Sequence, residues 1–260
     1  MTIKKKSLVV LVIALKNSSV GLKTIGLLSK FVDVEIIEAA TPNSLLSHAY
    51  KPAKGVEPIE MAISVSHHLA RLRAKTLSRD WTLILEEDVI IKFEIEELLT
   101  LIEEIDSYNK VKIPLGIHLF PEQFGILTMI KNRGFLHVNY LPDCAVGYCL
   151  NLLAIEKTVQ DFRENQVEIA DWPSRIRKNI LWFAPNTSLV AHPDLRLKTT
   201  KSSTSEYRKK RKNLSLYRKL LKFKIIPFVL IKIGHILNLK FGENPVDSEK
   251  IRSVKLQFKC

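Results

Sequence analysis

The sequence predicts an α/β chain: a doubly wound sheet flanked by helices, followed by a basic helical appendage. Three observations predict it. The uninterrupted apolar run Leu8–Leu15 reads as a buried strand of a parallel sheet. A helical pattern over Ser18–Phe31 and a short strand over Val34–Ile37 complete a β-α-β start. Beyond Thr199, Lys-Ser-Ser-Thr-Ser reads as a linker, and the composition then turns cationic. The expected division is a folded domain over 1–200 and a basic amphipathic segment over 201–260. With 260 residues, 46% hydrophobic and 26% charged, the chain is long enough to bury one sizeable core.

The remaining elements follow in order. Pro42 to Pro58 reads as a loop, and the apolar spacing from Ile59 to Thr76 is helical. Trp81–Leu85 is a compact apolar strand closed by Glu86, Glu87 and Asp88. Ile95–Ile105 reads as a helix. Gly116–Phe120, Phe135–Tyr140 and Ala145–Leu150 read as strands, and a helix follows over about Leu153–Asn165. Asp171–Ile180 fits a helix or an ordered loop, and Thr187–Ala191 a last strand. The final 20 residues carry no clear pattern.

Charge is unevenly distributed. Of the formal net charge of +13, residues 201–240 hold twelve lysines and arginines against the single acid Glu206. Such a stretch seeks polyanions: acidic lipid headgroups, nucleic acid or anionic glycolipids. Cys144, Cys149 and Cys260 form no regular framework, which argues against a disulfide scaffold and for reduced thiols. The N-terminal Lys4, Lys5 and Lys6 before an apolar run mimic a signal peptide. The run is short and lacks a small-residue cleavage site, so a first strand is the better reading. No stretch of about 20 uncharged apolar residues is present to span a membrane.

The chemistry concentrates at the end of the Trp81 strand. In open α/β sheets, ligands bind just outside the carboxyl ends of the strands. Adjacent carboxylates there repel one another unless a cation lies between them. A hard divalent ion takes oxygen ligands and is often shared between one or two carboxylates and substrate phosphates. The competing reading is that Glu86–Asp88 only start a helix, where the helix dipole favours acids.

The pattern Glu60…Ser66-His67, followed by Leu83-Ile-Leu-Glu86-Glu87-Asp88, resembles glycosyltransferase family 25, which includes lipooligosaccharide galactosyltransferases of bacteria. The likeness extends to the opening strand, to Ile36-Ile37-Glu38-Ala39 and to Gly147-Tyr148. It covers roughly residues 7–205, and its specific part is 60–90. Two places depart from the family. Ala14-Leu15-Lys16-Asn17 stands where an Asn-Leu-Asp-Arg-like turn is usual, and Glu87 where the middle Asp is usual.

The resemblance implies a GT-A-like, Rossmann-type mixed sheet flanked by helices, with 1–200 as the catalytic domain. It implies transfer of a hexose, galactose first, from a UDP-sugar to a lipid-linked saccharide in lipopolysaccharide or other surface-glycan assembly. Glu86, Glu87 and Asp88 would form the site for Mn²⁺ or Mg²⁺ and the donor diphosphate. Glu60, Ser66 and His67 would line the donor pocket. Ser66 is equally a helix cap, and His67 equally a hydrogen-bonded core residue.

Further candidates come from the residues themselves. Asp171, in Ala-Asp171-Trp172-Pro173, is the candidate general base of an inverting transfer, or else a helix cap with Pro173 in the first turn. His192, in Val190-Ala-His192-Pro193, is a candidate late metal ligand or a satisfied surface histidine. Arg196 and Lys198 fit a diphosphate, and equally a solvated cationic strand end.

Leu214–Leu239 interleaves Lys and Arg with Leu, Ile, Phe and Val, broken by Pro227. This suits an interfacial segment that holds the chain on an anionic membrane surface, with peripheral association at the inner face of the plasma membrane and a cytoplasmic domain. The alternative is a packed helix with a solvated basic face. Nucleic acid is not an expected partner. The basic stretch has long aliphatic runs and only Tyr207 and Tyr217 to stack on bases, and no zinc, RNA-recognition or helix-turn-helix signature is present. A scaffold of the same fold without activity is the third reading.

Overall fold

The computed structural model describes residues 7–45, 58–109, 111–120, 127–130, 134–138, 145–164, 179–192 and 251–254; of 127–130, 163–164 and 251–254 it describes the backbone path alone. Asp171, Trp172, Arg196, Lys198, Cys144, Cys260 and the basic stretch 201–240 lie outside these residues.

The strands are β1 (Leu8–Ala14), β2 (Asp33–Glu38), β3 (Trp81–Glu86), β4 (Ile90–Ile91), β5 (Leu115–His118), β6 (Leu127–Ile130), β7 (Phe135–Val138), β8 (Gly147–Asn151), β9 (Leu181–Pro185), β10 (Val190–Ala191) and β11 (Ile251–Val254). The helices are α1 (Ser19–Leu28), α2 (Pro58–Leu77), α3 (Ile95–Tyr108) and α4 (Leu152–Glu164), and a 3₁₀ turn covers Pro42–Ser44. The fold class is the expected one: α/β, a mixed sheet flanked by helices. The main sheet runs β11-β6-β7-β9-β5-β8-β3-β1-β2, and β4 and β10 form a separate ribbon. β2, β1 and β3 are parallel; β8 runs antiparallel between β3 and β5. β9 continues parallel to β5, and β7 and β6 reverse again. β11 comes from the last residues of the chain, where the sequence carries no clear pattern, and pairs with β6.

Every residue of β1 is buried, which explains its unbroken apolar run. Successive side chains point to opposite faces. Leu8, Val10 and Val12 join a core with Leu28 of α1 and Leu98, Ile102 and Ile105 of α3. Val9, Leu11 and Ile13 join a second core with Ala70 and Ala74 of α2 and Ala154 and Ile155 of α4. Each such side chain contributes roughly 1.5–3 kcal/mol when fully buried. Helices on both faces leave the two ends of the sheet open, and the carboxyl end of β3 is one exit.

α1 begins at that end. Ser18 caps it, its hydroxyl accepting from the Gly21 N–H at 3.2 Å. Gly21 lets the first turn press on the end of β1, since a Cβ there would stand 2.7 Å from Ala14 Cβ. Cys149 is buried with a free thiol, which burial holds well above the ordinary thiol range.

His137 on β7 packs 5.8 Å from the Phe183 ring, and burial pushes its imidazole down to about 4. The unfolded chain takes up this proton near pH 6.5. Between the two values the unfolded state therefore binds more protons. The stability is present in full above pH 6.5 and is lost as pH falls through the window, by on the order of 3 kcal/mol in all. Urea unfolding at pH 7 and pH 5 checks this: the parent weakens at pH 5, and H137Q weakens less. An identical pH response in H137Q rules out this histidine as the cause.

Candidate functional site

β3 is buried until Glu86, the first of its residues to emerge from full burial. The chain then turns, with the Val89 N–H donating to the Glu86 carbonyl at 3.2 Å. The turn starts β4, which pairs with β10 in the register Ile90↔Ala191 and Ile91↔Val190. The Lys92 N–H closes the ribbon on the Leu189 carbonyl at 2.9 Å. Because β10 ends at Ala191 opposite Ile90, the next residue, His192, comes alongside the Glu86–Asp88 turn.

Ligand atoms of Glu86, Asp88 and His192 lie within 4.8 Å of one another, with Asp88 exposed and the other two half-buried. Of the residues the sequence offers for an ion site, these three come together and Glu87 does not join them. Two carboxylates and an imidazole, open to solvent on one side, fit Mn²⁺ or Mg²⁺ with positions left for water or phosphate oxygens. The imidazole favours a first-row ion over Mg²⁺.

Glu87 turns the other way. Its carbonyl accepts from Thr24 Oγ1 at 3.1 Å, and its carboxylate Oε2 is buried beside the first turn of α1, 3.6 Å from where a Cβ on Gly21 would stand. Its charge faces the positive end of that helix rather than the Glu86–Asp88–His192 group.

Behind Glu86 lies a buried chain of hydrogen bonds. His67 Nε2 is 3.3 Å from Glu86 Oε1, and His67 Nδ1 is 3.0 Å from Tyr148 Oη. Arg71 Nη1 donates to Tyr148 Oη at 3.4 Å. One tautomer satisfies both His67 contacts: Nε2 carries the proton and donates to the carboxylate, while Nδ1 accepts from the tyrosine O–H. Burial raises the Tyr148 hydroxyl to about 12, with Arg71 pulling the other way, so it stays protonated near neutrality and donates. Donation therefore runs from Arg71 and Tyr148 through His67 to Glu86. Outer partners of this kind fix the orientation of a metal-binding carboxylate.

The sequence alone brings out neither Tyr148 nor Arg71 as site residues. A signal for Arg71 was available: it lies four residues after His67 on the same face of α2, in line with the buried polar residues Glu60, Ser64 and His67. Tyr148 reaches His67 because β8 pairs with β3 in the register Tyr148↔Ile84, two residues before Glu86.

The other α2 candidates are buried too. Glu60 sits in the first turn, two turns before His67 on the same side of the helix. Ser66 is in the middle of α2, so the reading as a helix-start cap is corrected. Its hydroxyl donates to the Ala62 carbonyl and accepts from the Ala40 N–H, each at 2.8 Å, and so ties the end of β2 to α2. His68 stacks on Phe162 of α4 at 3.9 Å.

No family model and no curated protein matches the chain. Among solved structures, a glycosyltransferase involved in the glycosylation of the major capsid of PBCV-1 superposes with a TM-score of 0.41 at 15% identity, over 78% of this chain and 99% of that one. A mannose-1-phosphate geranyltransferase from Thermus thermophilus superposes with a TM-score of 0.38 at 10% identity, over 75% and 80% respectively.

The hydrogen-bonded chain behind Glu86 yields a prediction. Y148F removes the hydroxyl that His67 and Arg71 share, and Mn²⁺ affinity should fall about 10-fold. Titration of Mn²⁺ followed by electron paramagnetic resonance measures it. A folded Y148F protein with parental affinity contradicts the positioning role.

Proposed function

We propose that the chain is a glycosyltransferase that moves a hexose, galactose first, from a UDP-sugar to a lipid-linked saccharide in surface-glycan assembly, of the lipopolysaccharide type. The convergence of Glu86, Asp88 and His192 at the carboxyl end of β3 carries this reading. The family 25 resemblance over residues 60–90 supports it, with Glu60, Ser66-His67 and the Glu86–Asp88 triplet at the family's spacing.

Glu86, Asp88 and His192 would hold Mn²⁺ or Mg²⁺. When bound, the ion supplies positive charge to the diphosphate that leaves as the sugar is transferred. His67 keeps one Glu86 oxygen engaged and so restricts where the carboxylate points. Glu60 would flank the donor; Glu87, turned toward α1, stands aside from the ion, and Ser66 acts at one remove by fixing the backbone after β2.

In an inverting transfer, Asp171 would take the proton of the acceptor hydroxyl as it attacks the sugar carbon. Arg196 and Lys198 would pair with the diphosphate oxygens. The basic stretch 201–240 would hold the enzyme on anionic headgroups at the inner face of the plasma membrane, within reach of a lipid-linked acceptor.

Hydrolysis of UDP-galactose, or its transfer to a lipooligosaccharide acceptor, measured with and without Mn²⁺, tests the proposal. Turnover should require the ion, and D88N should lower it about 100- to 1,000-fold, the range seen when one electrostatic stabiliser of a transition state is removed. Absence of UDP-sugar binding at every Mn²⁺ concentration contradicts the reading, as does D88N with parental turnover.

A further inference from the structure

The surface of α1 has an unusual composition for a helix that packs on a sheet. Gly21, Thr24 and Leu28 face the core. Outward, Val20, Leu22 and Leu27 are 48%, 60% and 57% exposed, and in the turns at either end Leu15 and Phe31 are 53% and 56% exposed. Lys16, Lys23 and Lys30, spaced by seven residues, are exposed among them. From Leu15 to Val32 there is no acidic residue. Of the acids on β2, Asp33 pairs with Arg79 at 3.0 Å and Glu35 with Arg73 at 2.7 Å, and Glu38, exposed and opposite Ala14, stands at the Leu15–Lys16 end of α1. Lys23 and Lys30 have no acid close in sequence on α1, and exposed apolar side chains flank them.

We infer that the outer surface of α1, with its flanking turns, is a docking surface for an anionic lipid bilayer. Contiguous exposed apolar groups mark interaction sites, and the charge selects the occupant. A second copy packed through this face about a two-fold axis would set lysine ridge against lysine ridge. The chain's own 201–240 stretch, with twelve cations and one acid, is repelled in the same way. An anionic bilayer meets both features: headgroups pair with the lysines, and Leu22, Leu27 and Phe31 dip below them.

The first turn of α1 stands beside Glu87, so docking through this helix sets the rim of the β3 site at the level of the headgroups. The inference goes beyond the proposed reaction. It concerns binding that needs neither donor nor cation, so its failure and that of the transferase reading are distinguishable.

The test uses the full chain and sedimentation with vesicles of phosphatidylglycerol and phosphatidylcholine, without UDP or metal. K16Q/K23Q/K30Q should lower the partition coefficient about 100-fold, from roughly 1 kcal/mol per basic residue at an anionic surface. L22S/L27S/F31S should lower it at least 10-fold, and vesicles of phosphatidylcholine alone should bind the parent more weakly. As an independent reading, F31W should gain quenching by brominated lipid over the parent, which attachment through 201–240 alone does not produce. The inference is overturned if both triple variants keep the parental circular dichroism and Tm and partition like the parent. An unquenched F31W overturns it as well, as does self-association of the parent without vesicle binding.

Discussion

Glu86 and Asp88 carry like charge at the exit of a buried strand, and the site rests on keeping them together. Two carboxylates within 4.8 Å repel by about 1 kcal/mol under water-like screening and about 3.5 kcal/mol at an effective dielectric of 20. Left to themselves, such side chains swing apart into solvent. Here Glu86 has little freedom to do so, because His67 Nε2 engages one of its oxygens, and His67 is itself held by Tyr148 and Arg71. A divalent cation would relieve the repulsion that remains, with the His192 imidazole as a third donor at the same place.

The fold supplies this constraint from both sides of the sheet exit. On one side, α2 lies against the second core through Ala70 and Ala74 and aims His67 at the end of β3. On the other, α1 closes over the end of β1 through Gly21, and Glu87 turns toward it. The β4–β10 ribbon delivers His192 from far along the chain. The site is thus assembled from parts fixed by packing, with solvent access kept on the Asp88 side.

Elements with a single strong pattern were legible in the sequence. β1, α1, β2, α2, β3, α3 and α4 lie within a few residues of where their apolar periodicity puts them. The strands missing from the sequence reading have physical reasons for being missed. β4 has two residues, too few for any period, and exists because β10 pairs with it. β9, Leu-Trp-Phe-Ala-Pro, follows a stretch that reads as helix or loop and ends in proline, a poor strand former; its place between β5 and β7 is set by tertiary pairing. β6 and β11 have four residues each, and their places at the far edge are set by pairing, β6 with β7 and β11 with β6. In the candidate site, residue type and the expectation that ligands gather at strand ends bring out Glu86, Glu87, Asp88 and His192 alike, but not that Glu87 turns toward α1. The Tyr148–His67 contact was not legible, because it depends on the β3–β8 register, which no local pattern encodes. Asp171, Arg196 and Lys198 lie outside the described residues.

Whether the β3 exit holds a divalent ion shared with a nucleotide diphosphate is read from anomalous diffraction by a crystal soaked with UDP and Mn²⁺. One manganese peak is expected at about 2.0–2.4 Å from a carboxylate oxygen of Glu86 or Asp88, with His192 next to it and the UDP phosphates completing its coordination. Bound UDP with no manganese at these residues, or with manganese coordinated elsewhere, contradicts a shared ion at this exit.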